Sequence, residues 1–139
     1  MPDSTLAQHR RSEWPALLLL PPLGLLCVTL PVVLRGEALM PAPLFPLLRT
    51  AIEHLTWMPI AALATMGLLA GLFTRIWPPL IALASIAALP SAMIAELIAD
   101  ATSHNLFPFE LVMYAAMALP VFLAALMGRW LRARMSKVA

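Results

Sequence analysis

Residues 77–99, WPPLIALASIAALPSAMIAELIA, form an apolar stretch in which Glu96 is the one charged side chain. A helix of about 20 predominantly apolar residues is long enough to cross the roughly 30 Å of hydrocarbon in a lipid bilayer. The stretch therefore predicts a transmembrane helix that places an ionisable group near one of its ends.

Three further stretches, residues 14–34, 51–74 and 109–128, are similarly apolar and of similar length. Of the 139 residues, 62% are hydrophobic and 12% are charged, and no polar stretch is long enough to fold as a separate soluble domain. The sequence therefore predicts an all-α integral membrane protein, a four-transmembrane-helix bundle that forms a single membrane domain over residues 1–139.

The basic residues indicate how such a bundle is oriented. Cytoplasmic connections of membrane proteins are enriched in Lys and Arg. If both termini are cytoplasmic, only Arg35 and Arg49 lie outside, and the other basic residues lie inside: Arg10, Arg11, Arg75, Arg129, Arg132, Arg134 and Lys137. We therefore expect cytoplasmic termini and an even number of spans, with the inner membrane of a bacterium as the location.

The two halves of the sequence, residues 14–75 and 77–134, resemble an internal duplication. The dipeptide WP opens both halves, and the tripeptide LFP precedes the second span of each half. Such a duplication predicts two helical hairpins related by a pseudo-two-fold axis along the membrane normal, as in parallel-repeat transporters.

Small residues recur at helical spacing in three of the predicted spans. They are Gly67 and Gly71 in the second, Ala84, Ala88 and Ala92 in the third, and Ala116, Ala124 and Gly128 in the fourth. Small residues let membrane helices approach closely. We expect them to serve packing within the bundle rather than a dedicated dimer interface.

Prolines within the spans predict local disturbance of the helices. Pro21 and Pro22 are expected to break or kink the first span. Pro90 and Pro120 lie near the centres of the third and fourth spans, where neighbouring helices can compensate for the lost hydrogen bonds.

Glu96 is the first candidate for a functional side chain. It continues the row of Ala84, Ala88 and Ala92 by one more helical step, so it should face the bundle. Its depth of about 4 to 5 Å below the end of the span also allows a simple solvated helix end. Asp100 lies one turn further along the same face.

Other polar groups fall on the same predicted outer face. Residues 50–53, TAIE, predict a capping box at the start of the second span. The complete set of candidates is Glu53, His54, Glu96, Asp100, His104 and Glu110. Imidazole and carboxylate groups suit either a metal ion or a proton relay, but the spacing matches no metal-binding motif, so cofactor and metal stay undetermined. We expect Glu96 and Asp100 to meet His54 or His104, with Arg49 as the rival partner.

Three functions are compatible with these features. The absence of a catalytic motif and of a soluble domain favours a non-enzymatic structural or accessory subunit of a larger membrane assembly. The alternatives are a small oligomeric transporter or channel for protons, cations or a small solute, and a membrane enzyme with an outer-face His and carboxylate site. The expected partners are the lipid bilayer and either further copies or other membrane subunits, and a net charge of +2 gives no indication of nucleic acid binding.

Overall fold

The computed structural model describes residues 13–42, 44–100 and 107–137, and its regular elements over these residues are all helices. They are α1 (Trp14–Arg35), α2 (Pro46–Glu53), α3 (Trp57–Phe73), α4 (Pro78–Ile86), α5 (Ala88–Ala99) and α6 (Phe107–Met135). Three segments are long and apolar enough to cross a membrane, namely α1, the α4–α5 pair and Pro108–Met135 of α6. The bent pair α2–α3 makes a fourth if it counts as one span.

The prediction of one helix over residues 51–74 is wrong. The chain bends by 103° between α2 and α3, and Thr56 before α3 is extended, with φ −117° and ψ −179°. Pro59 explains where α3 starts, because proline has no N–H to donate and clashes with a preceding helical turn. It is therefore tolerated in the first turn of α3, where it favours a new helix start.

The predicted capping box at residues 50–53 is also wrong, because the helix that contains these residues starts at Pro46. Thr50 lies inside α2, one turn before its end, and its hydroxyl donates to the carbonyl of Pro46 at 2.8 Å. The start of α2 is set by Pro46, whose missing N–H costs nothing in a first helical turn.

The prolines in the first span leave its helix continuous, whereas the third span breaks close to its proline. The first span was predicted to break or kink at Pro21 and Pro22, and it does not break, because α1 runs continuously through Pro21, Pro22 and Pro31. The third span does break at Ala87. The N–H of Ala87 donates to the carbonyl oxygen of Ala84, three residues before it, at an N–O distance of 3.2 Å. Pro90 accounts for that break, since it cannot donate to the carbonyl four residues before it.

The most extensive helix contact joins α3 and α6, which run parallel and touch through glycine. A Cβ atom on Gly67 would lie 2.6 Å from the carbonyl oxygen of Val121, inside van der Waals distance. Gly71 approaches the backbone of Ala125, and Gly128 that of Leu68, still more closely. The predicted glycine motif thus serves packing within the bundle.

Two other small-residue contacts complete the packing. Gly24 of α1 touches the backbone of Ser85 in α4, which joins these helices as closely as α3 joins α6. Ala116, which the sequence grouped with Gly128, is exposed instead. The buried face of α6 is offset from that row and contains Tyr114, Met117, Val121 and Ala125.

Side-chain contacts define a basic end of the molecule. A carboxylate oxygen of Glu13 accepts a hydrogen bond of 2.9 Å from the backbone N–H of Arg75, and the guanidinium of Arg132 donates to the carbonyl of Thr74. The start of α1, the α3–α4 connection and the end of α6 therefore lie together. We call this the basic end; its basic residues are Arg75, Arg129, Arg132, Arg134 and Lys137.

The opposite, acidic end contains α2, the α1–α2 connection, the end of α5 and the start of α6. Its acidic residues are Glu37, Glu53, Glu96, Asp100 and Glu110. Gly36 ends α1 here in the left-handed conformation, with φ 65°, which turns the chain toward α2. Arg35 pairs with Glu37 at 3.0 Å beside that turn.

The two halves that the predicted duplication relates differ in where their helices break. The first half breaks at residues 54–56 and the second at Ala87. The duplication would pair residues 54–56 with residues inside α6, and Ala87 with a residue inside α1. Both α6 and α1 are continuous there, so neither break recurs in the other half. The repeat therefore stays a prediction.

Candidate functional site

The acidic end contains a small cavity of about 80 Å³ with acidic and apolar side chains in its wall. It is lined by Phe45, Leu48, Arg49, Ile52, Glu53, Met93, Glu96, Glu110 and Tyr114. A water molecule occupies about 30 Å³ of liquid, whereas pockets for organic ligands measure about 300 to 1,000 Å³. The cavity can therefore hold a few water molecules or an ion, and it is too small for an organic substrate.

Glu96 lies on the inward face of α5 and is 5% exposed. It follows Leu89 and Met93 at helical spacing, and both of these are buried. The alternative of a solvated helix end is therefore wrong, because protein surrounds the carboxyl group. One of its oxygens, Oε1, accepts a hydrogen bond of 2.8 Å from the backbone N–H of Phe45, which caps the start of α2.

The side chains of α2 satisfy backbone groups of the α1–α2 connection. Thr50 accepts a hydrogen bond of 2.8 Å from the N–H of Met40. Arg49 donates to the carbonyl of Pro41 at 3.3 Å and pairs with Glu53 at 3.1 Å. These contacts satisfy backbone groups of a non-helical segment and tie that segment to α2.

Two residues of α6 complete the wall of the cavity. Glu110 and Tyr114 are four residues apart and so share a face of the helix, and Tyr114 is 3% exposed. The lining groups include three glutamate side chains and one arginine. Sequence reasoning missed Tyr114, although its spacing from Glu110 would have found it.

The remaining candidates lie elsewhere. His54 ends α2, is exposed and does not line the cavity, so Arg49 shares the cavity with Glu96 in its place. Asp100 follows α5, is half-buried and interacts with another group. His104 lies outside the described residues. Whether the six candidates act as one site stays a prediction.

The chemistry open to this cavity is narrow. Its lining residues offer no serine, cysteine, lysine or histidine, so the glutamates and Tyr114 are the groups in the lining that could act as a nucleophile or a base. Within the described ranges, no group of three or more His, Cys, Asp or Glu side chains could hold a metal ion. The lining groups can accept hydrogen bonds, form ion pairs and hold a proton.

Comparison of the chain with protein-family models, with curated proteins and with solved structures found no match. The geometry of the chain itself therefore carries the functional argument.

Proposed function

We propose that this protein is a non-enzymatic accessory subunit that binds a transmembrane helix of another membrane protein. The observation that supports it is a shallow apolar depression of about 360 Å³ between α4 and α6. Its lining residues are Pro79, Ala82, Leu83, Ala115, Ala118, Leu119 and Phe122.

The shape of this depression suits a helix. Lipid tails are as apolar as leucine, so membrane helices associate through close packing rather than through the hydrophobic effect. Three alanines line the depression, and Leu83 and Leu119, which also line it, are 60% and 56% exposed. A helix seated between the two leucines would approach the backbone of α6 at Ala115 and Ala118.

Filling the depression should abolish this association. Ala115→Trp places a large ring where the partner helix would lie, and we expect binding at least about tenfold weaker, ~1.4 kcal/mol. The matched control is Ala116→Trp, because Ala116 is the next residue, is also exposed and lies outside the depression. The measurement is quantitative mass spectrometry of polypeptides that co-purify with tagged protein in mild detergent.

A polypeptide retained by the wild type and Ala116→Trp but lost from Ala115→Trp supports the proposal. If that polypeptide is a second copy of this chain, the depression is a self-association surface and the accessory role is wrong. Equal behaviour of the two variants, or a monodisperse monomer with no companion, also contradicts it.

The proposed subunit is a four-helix bundle in a bacterial inner membrane, with both termini in the cytoplasm. The clustering of basic residues at the basic end supports this orientation. The 17 residues of α3 extend about 26 Å, close to the thickness of a bilayer core. In this arrangement α3 is the second span, and α2 lies across its end at the membrane surface. The predicted duplication is kept as a proposal about the origin of the two halves.

A second candidate function is proton or cation transport, which the burial of Glu96 beside Glu53 and Glu110 favours. The glycine contacts leave no room for a path between α3 and α6. Four helices barely enclose a path, so this candidate function is that of an oligomer. The test is flux into liposomes that contain the purified protein: a proton or cation flux that Glu96→Gln abolishes supports it, and no flux from the wild type contradicts it.

The third possibility is a membrane enzyme with an outer-face site. The cavity at the acidic end does not support it, because a volume of about 80 Å³ is too small for an organic substrate.

A further inference from the structure

We propose that the groove between α1 and α3 binds an anionic phospholipid, with an acyl chain in the groove and the phosphate at the basic end. This interaction is independent of the proposed helix-binding depression, which lies between α4 and α6. The groove measures about 600 Å³ and runs between the two helices as far as Thr74 and Ile76.

The surface of the groove is apolar, although two of the residues that line it are threonines. Leucine and alanine side chains of both helices form most of the wall. Thr65 and Thr74 also line it, but their hydroxyls donate to the carbonyls of Ala61 and Ala70 in their own helix, at 2.8 and 2.7 Å. Neither hydroxyl needs a partner from the groove, so a hydrocarbon chain leaves no polar group unsatisfied there.

A second, more polar cavity adjoins the groove at the basic end. Ile76 lines both spaces, so they adjoin. The second cavity measures about 360 Å³ and is flanked by Trp14, Trp77 and Arg75. An apolar channel that ends in a polar, cation-bearing mouth matches the two-part chemistry of a phospholipid.

The charges at the mouth favour an anionic headgroup. Arg75 lines the mouth. The guanidinium of Arg132 donates a hydrogen bond to the carbonyl of Thr74, the residue before Arg75. Glu13 also lines the mouth, but its carboxylate holds the backbone N–H of Arg75, and this contact fixes the connection from which the arginine side chain extends. Anionic lipids are attracted by clusters of basic residues close to the membrane surface.

The tryptophans place the mouth at the level of the headgroups. Trp14 and Trp77 are 58% and 65% exposed on either side of it. Indole rings concentrate at the membrane interface, where one end of the ring meets lipid and the other meets water. The mouth combines an arginine with two interfacial tryptophans, which is complementary to an anionic headgroup, so a lipid is the occupant that we assign to the groove.

The test uses the purified full chain and a photoreactive phosphatidylglycerol with a diazirine in its acyl chain. We expect crosslinks in peptides from α1 and α3, and weaker crosslinking by a phosphatidylcholine probe with the same acyl chains. Arg75→Gln should lower capture of the anionic probe about fivefold, the effect expected for one basic residue near an anionic headgroup. Arg75→Lys retains the charge and should restore capture.

Arg35→Gln is the matched control, because Arg35 is a partly exposed arginine at the acidic end. It should leave capture unchanged. The proposal is overturned if the two probes crosslink equally, if Arg35→Gln lowers capture as much as Arg75→Gln, or if the crosslinks lie outside α1 and α3. Recovery of a bound polypeptide crosslinked to the groove would assign it to a protein partner instead.

Discussion

Gly71→Val is expected to destabilise the protein by about 3 kcal/mol, the upper part of the range for an overpacked interior. The added side chain would meet the backbone of Ala125, which cannot rotate away as a flexible side chain could. The helices α3 and α6 would have to separate, and their contact is the most extensive among the described helices. The measurement is the free energy of unfolding in detergent micelles, followed by circular dichroism as denaturant is added.

The control is Ala61→Val, which introduces the same side chain on the same helix at an exposed position. We expect a change within about 0.5 kcal/mol, as for most surface substitutions. Equal stability of the two variants would show that α3 and α6 do not pack through Gly71.

Glu96→Ala is expected to destabilise the protein by about 2 kcal/mol, because the partly buried N–H of Phe45 loses its acceptor. Glu96→Gln keeps a carbonyl oxygen of similar position, and we expect it to cost less than about 1 kcal/mol. The reason is that Glu96 serves the fold as an acceptor that ties the start of α2 to α5.

The two variants separate the structural role of Glu96 from a transport role. A structural acceptor tolerates glutamine and fails with alanine, whereas a proton or cation carrier fails with both. The readouts are the free energy of unfolding and liposome flux. Loss of stability in Glu96→Gln as large as in Glu96→Ala would show that the charge, rather than the acceptor, holds α2 in place.

Hydropathy predicted the membrane character of the chain, and it predicted three of the spans well. It failed at residues 51–56 because Ile52 and Leu55 are apolar, so an average over the window does not register the break after Glu53. Two local signals mark that break: the proline at position 46, which suits a helix start, and Pro59, which requires a second start. The presence of proline alone could not predict where a helix breaks, because α1 runs through three prolines without a break.

For the candidate site, the sequence predicted the direction of Glu96 because helical spacing fixes which residues share a face. It could not predict what the carboxylate would meet. The partner is a backbone N–H of Phe45, fifty-one residues away in sequence, and a backbone group carries no signature in the residue type. The same limit applies to Thr50, which looked like a helix start and instead bonds the N–H of Met40.

The central claim, four crossings with the basic and acidic ends on opposite sides, is tested most directly by labelling single cysteines. In a Cys27→Ser background, cysteines replace Ser4, Ala38 or Ser136, and intact bacterial cells are treated with a maleimide that cannot cross membranes. We predict labelling of Ala38→Cys in intact cells, and of Ser4→Cys and Ser136→Cys only after the membrane is permeabilised. Labelling of Ser4→Cys and Ser136→Cys from opposite sides, or of Ala38→Cys and Ser136→Cys from the same side, would contradict the account.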